Sequence, residues 1–96
     1  MTNKEIRNAV GMPALYEGLA EEAVELAHAA LKMARIMRGE NPTPADLGDA
    51  LAKLKEELGD LEIYLDILEL WSDNLRYYGK RERMEARIQE ARDEMP

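Results

Sequence analysis

Seven leucines follow one another in alternating steps of four and three residues through the second half of the chain. They are Leu47, Leu51, Leu54, Leu58, Leu61, Leu65 and Leu68. This spacing is typical of an α-helix that packs nearly antiparallel on its neighbours, and it differs from the alternation of a half-buried strand. The leucine row therefore predicts a long helix that reaches about Leu70 in an all-α protein.

The rest of the chain has the composition of helices, because phenylalanine is absent and Ala, Leu, Glu, Lys and Arg are abundant. Besides the leucine-rich helix we expect a short helix from Thr2 to about Val10, a second from Pro13 to about Arg38, and a last from about Asn74 to Arg92. The fold class is thus a helical bundle of about four helices.

Glycines and prolines mark the predicted boundaries between these helices. Gly11 breaks the first helix, Gly39 stops the second, and Asn41-Pro42 forms a turn. For the leucine-rich helix we expect Thr43 as the N-cap, Pro44 in the first turn and Asp46 near the positive end of the helix dipole. The last helix is expected to turn Met84, Ile88 and Ala91 inward.

The length of the chain, 96 residues, fits one domain with a modest core. We therefore expect self-association to complete the bundle. Without cysteine, the chain has neither disulfides nor thiolate-bound zinc, which agrees with a reducing cytosol. Charges interrupt every apolar run well short of a membrane span, and no signal peptide is evident. A cytoplasmic protein without a membrane partner is expected.

The formal net charge of −7 argues against a protein that coats the phosphate backbone of a nucleic acid polymer. The charge is unevenly distributed: residues 17–62 hold eleven acids and five bases, whereas residues 75–92 hold three acids and six bases. This division suits carboxylates that bind metal and cations that bind phosphate around one polyanionic ligand. From the charges alone, ordinary solvated helix surface is the favoured explanation.

The predicted second helix carries a cluster of acids, Glu21, Glu22 and Glu25. Glu22 falls at a helical position where an apolar residue is expected. The apolar residues of the same stripe are Leu15, Leu19, Leu26, Ala29, Met33 and Ile36. A carboxylate at the border of a core needs compensation, because burying an unpaired charge costs several kcal/mol. The position of Glu22 thus indicates a metal or cationic partner.

The predicted third helix repeats the arrangement with Glu57 and Asp60, three residues apart and beside the leucine row. Antiparallel packing of the two helices would bring Glu22, Glu25, Glu57 and Asp60 together. Four carboxylates without a thiolate suit magnesium, with manganese as an alternative. Gly59 would let a neighbouring backbone or ligand approach. The alternative is a charged helix surface in which Lys53 pairs with Glu57.

The pattern EExxE on one long helix followed by ExxD on the next resembles the MazG-like all-α nucleotide pyrophosphohydrolases, which are related to dimeric dUTPases and phosphoribosyl-ATP pyrophosphohydrolase. Glu21, Glu22, Glu25, Glu57 and Asp60 fill the motif positions. The likeness extends from about Leu15 to Leu70. It includes the Asn41-Pro42-Thr43-Pro44 connection and Tyr64, four residues beyond Asp60.

The resemblance implies magnesium-dependent cleavage of a nucleoside triphosphate between its α and β phosphates, giving a monophosphate and pyrophosphate. Glu22, Glu25, Glu57 and Asp60 would be metal ligands, and Glu21 would orient water or support a ligand. The resemblance also implies a dimer or a dimer of dimers, and house-cleaning of non-standard nucleotides. Phosphoribosyl-ATP would be a related substrate.

Several further residues are candidates for substrate contact: Lys53, Tyr64, Lys80 and Arg81, with Arg83 and Arg87 beside them. For Arg81 the alternative is a surface ion pair with Glu85. Trp71, Tyr77 and Tyr78 would stack on a nucleobase or belong to a core or subunit interface.

Two other functions remain open from the sequence. The first is a regulatory helical dimer that binds nucleotide or metal without hydrolysis. The second is a di-iron carboxylate protein, because Glu25 and His28 have the ExxH spacing of the ferritin-like proteins. That site needs a second ExxH motif, which only dimer symmetry would supply, whereas the alternative for His28 is a place on the helix surface.

Overall fold

The structure, a computed structural model, describes residues 1–41 and 44–95, and four α-helices account for most of them. They are α1 (Asn3–Val10), α2 (Met12–Arg38), α3 (Leu47–Leu68) and α4 (Asn74–Asp93). The all-α prediction is confirmed, and most helix ends lie close to where the sequence predicts them. No helix in the described part of the chain has the length and apolarity needed to cross a membrane.

Capping residues and glycines at the predicted boundaries explain most of the helix ends. The side chain of Thr2 caps α1 by accepting a hydrogen bond from the Glu5 amide at 3.1 Å. Gly11, with φ at 94°, allows the break between α1 and α2, and Gly39 ends α2 in the left-handed conformation with φ at 71°.

The predicted start of α3 was wrong. The N-cap is Asp46, whose carboxylate accepts from the Gly48 amide at 2.7 Å, and Pro44 precedes the helix instead of lying in its first turn. The predicted cap Thr43 and the predicted turn at Pro42 lie outside the described residues. Asp46 prevails because its side chain reaches the second helical amide while a negative charge stands at the positive end of the dipole.

Helices α2 and α3 pack against each other as a hairpin. Leu15 on α2 and Ala50 and Leu68 on α3 are the buried apolar residues of the described chain. The leucine row is only partly the packing seam: Leu54, Leu61 and Leu65 are half-buried, whereas Leu47, Leu51 and Leu58 are 43%, 41% and 41% exposed. The side of α3 that faces α2 is centred on Ala50, Leu54, Glu57 and Leu61. The leucine row lies partly to one side of it, so Leu47, Leu51 and Leu58 form an uncovered edge of the row.

Helix α1 packs on α2 and α3 and is bonded to the C-terminal end of α3. The Asn3 amide donates to the Asp66 carbonyl at 2.9 Å, and Arg7 donates to the Ile67 carbonyl at 2.7 Å. Arg7 also lies 3.7 Å from a carboxylate oxygen of Glu69, the C-cap of α3. The Asp66 carbonyl also accepts a hydrogen bond from the Glu69 amide, so Asn3 and Arg7 add to the capping of the C-terminal end of α3.

Helix α4 lies apart from this three-helix unit: across the described residues it packs against none of α1, α2 and α3. The radius of gyration is 18.0 Å, whereas a compact chain of this length has about 12.5 Å. The expectation that Met84, Ile88 and Ala91 face inward was wrong for the single chain, because all three are exposed. Trp71, just before α4, is 80% exposed.

Candidate metal centre

Three of the predicted ligands meet where α2 and α3 pack together. Glu22 of α2 and Glu57 and Asp60 of α3 each offer a carboxylate oxygen, and these oxygens all lie within 4.8 Å of one another. Glu22 is half-buried, Glu57 is 6% exposed, and Asp60 is exposed at the edge of the helix pair. The predicted convergence of the two motifs therefore holds for these three residues, which we call the carboxylate cluster.

Glu57 is the buried charged residue of the described chain, and it is paired with Lys53 one turn earlier on α3. Lys53 Nζ lies 2.8 Å from Glu57 Oε1 and 3.8 Å from Glu56 Oε2. The hydrogen bond to Glu57, with the charges of Glu56 and Glu57, raises the pKa of Lys53. The ion pair considered as an alternative thus exists, and it coexists with the carboxylate cluster.

The environment of Glu22 disfavours its charged form. Partial burial raises the pKa of Glu22, and the negative charges of Asp60, Glu57, Glu25 and Glu21 raise it further. A divalent cation among these oxygens would remove both the repulsion and the lack of solvation. The electrostatics of the cluster are therefore those of a site that gains from binding a cation.

The fourth predicted ligand, Glu25, does not belong to the cluster. Its side chain is exposed one turn further along α2, close enough for its charge to act on Glu22. Glu21 is likewise exposed and acts on Glu22 through its charge. The structure thus brings together three of the four predicted carboxylates and places Glu21 and Glu25 at their border.

Tyr64, predicted to contact substrate, is half-buried beside Gly18 on α2. A Cβ atom at Gly18 would lie 2.6 Å from Cζ of the Tyr64 ring, so only glycine leaves room for the ring. Gly18 was not among the residues predicted from the sequence. Its signal was a glycine three residues after Leu15 on the buried stripe of a long helix, where it costs about 1 kcal/mol relative to alanine. Gly59 by contrast is exposed, and no described protein atom lies within 4 Å of its Cβ position.

A cavity of about 440 Å³ opens beside the carboxylate cluster. Its walls are mostly apolar and come from α1, the start of α2 and the end of α3: Ile6, Val10, Ala14, Leu15, Ile63 and Ile67. Glu22, Asp60 and Tyr64 form its polar side. The cavity thus combines an apolar surface for a flat or aliphatic group with carboxylates at one edge.

Lys80 and Arg81 lie on α4, which does not approach the carboxylate cluster within one chain. Both line a basic groove along α4 that also includes Arg76, Tyr77, Arg83, Met84 and Arg87. Arg81 donates to Glu85 at 3.1 Å, the surface pair considered as an alternative. Hydrogen bonding to the Tyr77 and Glu85 side chains raises the pKa of Arg81.

The carboxylate cluster contains oxygen donors only, which fits a hard cation such as Mg²⁺ or Mn²⁺. His28 is exposed on α2 and does not belong to the carboxylate cluster. Three carboxylates leave coordination positions for water and phosphate oxygens, the usual arrangement around magnesium in phosphate-cleaving sites.

Comparison of the chain with protein-family models, curated proteins and solved structures finds no match. The functional interpretation therefore depends on the motif and on the geometry of the site.

Proposed function

We propose that this chain is a magnesium-dependent nucleoside triphosphate pyrophosphohydrolase similar to the MazG-like enzymes, which cleaves between the α and β phosphates. One observation carries the proposal: carboxylate oxygens of Glu22, Glu57 and Asp60 lie within 4.8 Å of one another, although they come from two helices and two separate motifs. One of the three carboxylates, Glu57, is 6% exposed and paired with Lys53, so the cluster is not made of surface acids alone.

In this proposal Glu22, Glu57 and Asp60 hold the cation, with Glu25 recruited from the border of the cluster. Lys53 helps to hold the Glu57 side chain in place through the 2.8 Å ion pair with Oε1. Mg²⁺, when bound, neutralises charge on the triphosphate and lowers the pKa of the attacking water. Glu21 accepts a hydrogen bond from that water or supports Glu25.

The apolar cavity next to the cluster supports a substrate with a charged end and a flat end. Phosphate oxygens would lie at Glu22 and Asp60 through the cation, and the base or sugar would enter between α1 and α3. Water attacks the α phosphorus, the bond from that phosphorus to the bridging oxygen breaks, and pyrophosphate leaves with the bond electrons. In this proposal the enzyme is a dimer or a dimer of dimers in the cytoplasm. Its role is the removal of non-standard nucleotides.

The test is an assay of monophosphate and pyrophosphate release with deoxy-, ribo- and modified triphosphates, with and without Mg²⁺ or Mn²⁺. We expect metal-dependent hydrolysis that Glu57→Gln and Asp60→Asn each abolish. Asp49→Asn is the matched control, because Asp49 is an exposed acid on the same helix outside the cluster. Circular dichroism checks that each variant is folded.

Undiminished activity in both cluster variants would show the assignment to be wrong. Binding of nucleotide and metal without hydrolysis by any triphosphate in the panel would favour the regulatory helical dimer instead. An iron-dependent absorption band with oxidation activity would favour a redox protein.

A further inference from the structure

The described chain leaves more surface uncovered than a compact monomer does. It exposes 7869 Å², whereas a folded monomer of 10.9 kDa exposes about 5,600 Å². The excess is about 2,300 Å² for each copy. If two copies covered most of this excess, the buried total would fall in the range of obligate dimers, which is about 2,000 to 5,000 Å².

Part of this surface is apolar and lies in two stripes, one on α4 and one on α3. On α4, Tyr77, Met84 and Ile88 lie along one stripe of the helix and are 51%, 62% and 47% exposed. On α3, Leu47, Leu51 and Leu58 form the uncovered edge of the leucine row. Both stripes have the spacing of a helix that packs lengthwise on another helix.

Helix α4 and the α2/α3 hairpin also differ in charge. Helix α4 carries six basic and four acidic residues, whereas α2 and α3 together carry ten acidic and five basic residues. Lys80, Arg83 and Arg87 line the groove beside Tyr77 and Met84. Glu62 and Asp66 follow Leu58 by one and two helical turns. Apolar stripes with flanks of opposite sign favour association of α4 with the α2/α3 hairpin.

We propose that α4 of one copy packs against the uncovered leucine edge of α3 in a second copy, so that each copy completes the other's helical bundle. Within one copy α4 lies away from this edge, so the structure offers the two complementary surfaces without joining them. The same chain supplies both surfaces, and two-fold exchange covers each of them in both copies. The arrangement does not depend on the hydrolytic activity proposed above.

The absence of cysteine from the natural chain allows a direct test. A Met84→Cys chain is co-expressed with a differently tagged Leu47→Cys, Leu51→Cys or Leu58→Cys chain, and mild oxidation follows. We expect a disulfide-linked pair carrying both tags with at least one of the three leucine positions. Glu82→Cys on the opposite side of α4 is the matched control and should give no such pair.

Light scattering on the unaltered full chain gives an independent measurement that does not require any variant to fold. We expect twice the chain mass or a multiple of it, and Ile88→Glu should reduce that mass to that of one chain. Leu75→Glu, at an 86% exposed leucine off the stripe, should leave the mass unchanged. A monomeric unaltered chain would overturn the proposal. A dimer in which Glu82→Cys forms a disulfide with a leucine position, while Met84→Cys forms one with none of the three, would also overturn the proposal.

Discussion

Gly18 on α2 lies against the ring of Tyr64 on α3, and a methyl group at Gly18 would occupy space taken by that ring. The close approach places the helices side by side one turn from Glu22, whose carboxylate meets Glu57 and Asp60. The absence of a side chain at Gly18 on α2 thus allows Glu57 and Asp60 of α3 to come close to Glu22.

Replacing Gly18 by alanine is expected to destabilise the fold by about 1–3 kcal/mol, because the added methyl group must displace Tyr64 or separate the helices. Gly59→Ala is the matched control, since no described protein atom lies within 4 Å of its Cβ position. That substitution should stabilise the helix by up to about 1 kcal/mol. Urea denaturation measures both changes, and equal effects at the two glycines would contradict the prediction.

Replacing Glu22 by glutamine is expected to stabilise the metal-free protein at neutral pH. Burial and the neighbouring acids raise the pKa of Glu22 above its ordinary value of 4.5, so the folded state holds this proton more tightly than the unfolded state. The stability of the unaltered protein therefore falls as the pH rises from about 4.5 through the raised pKa. Below 4.5 the carboxyl is protonated in both states and the advantage of the variant disappears.

Urea midpoints measured against pH for the unaltered protein and Glu22→Gln test this expectation. Glu17→Gln, at an exposed acid of α2, is the control and should follow the unaltered curve. Added Mg²⁺ should stabilise the unaltered protein more than Glu22→Gln, since a ligand of the folded state raises its stability. A variant that is less stable than the unaltered protein at neutral pH would show that repulsion at Glu22 is unimportant.

Replacing Lys53 by methionine is expected to destabilise the metal-free protein, because the buried Glu57 loses the ammonium group 2.8 Å from its Oε1 atom. Mg²⁺ should restore part of the loss by supplying another positive charge. Lys55→Met removes an exposed lysine two residues away and serves as the control. Thermal unfolding with and without Mg²⁺ measures the effect, and equal melting temperatures for the two variants would contradict it.

Replacing Glu69 by glycine is expected to stabilise the protein by about 0.5–1 kcal/mol. This is the difference between the strain energy that glycine removes from the left-handed conformation and the conformational entropy that it adds to the unfolded chain. Glu69 ends α3 with φ at 54°, a conformation that glycine adopts freely. Its 3.7 Å contact with Arg7 is largely solvent-exposed on the carboxylate side, so losing it costs little. Glu69→Ala removes the same charge but keeps the strain, and a comparable gain in that variant would contradict the explanation.

The sequence predicted most helix ends well, the start of α3 excepted, because these ends are determined locally. Thr2, Gly11 and Gly39 act on amides and backbone angles within a few residues, so a reader of the sequence sees both partners. The anomaly at Glu22 was visible for the same reason: a charge at an apolar position of a helical stripe is a local pattern, and the structure places that residue in the carboxylate cluster.

The remaining features depend on distances between elements, which spacing alone does not determine. The leucine row indicates a packed helix, but a step of 3.5 residues leaves open which side of α3 faces α2, and Leu51 and Leu58 proved to be at the uncovered edge. Whether Glu25 joins the carboxylate cluster depends on the angle between α2 and α3. The position of α4 depends on surfaces that a single chain does not cover.

The bonds from Asn3 and Arg7 to consecutive carbonyl groups of α3 have a mechanical consequence. Asn3 and Arg7 are one helical turn apart, so α1 cannot slide along α3 without breaking both bonds together. The wall that α1 contributes to the apolar cavity is therefore anchored at two successive turns of α1, and its position is fixed by the C-terminal end of α3.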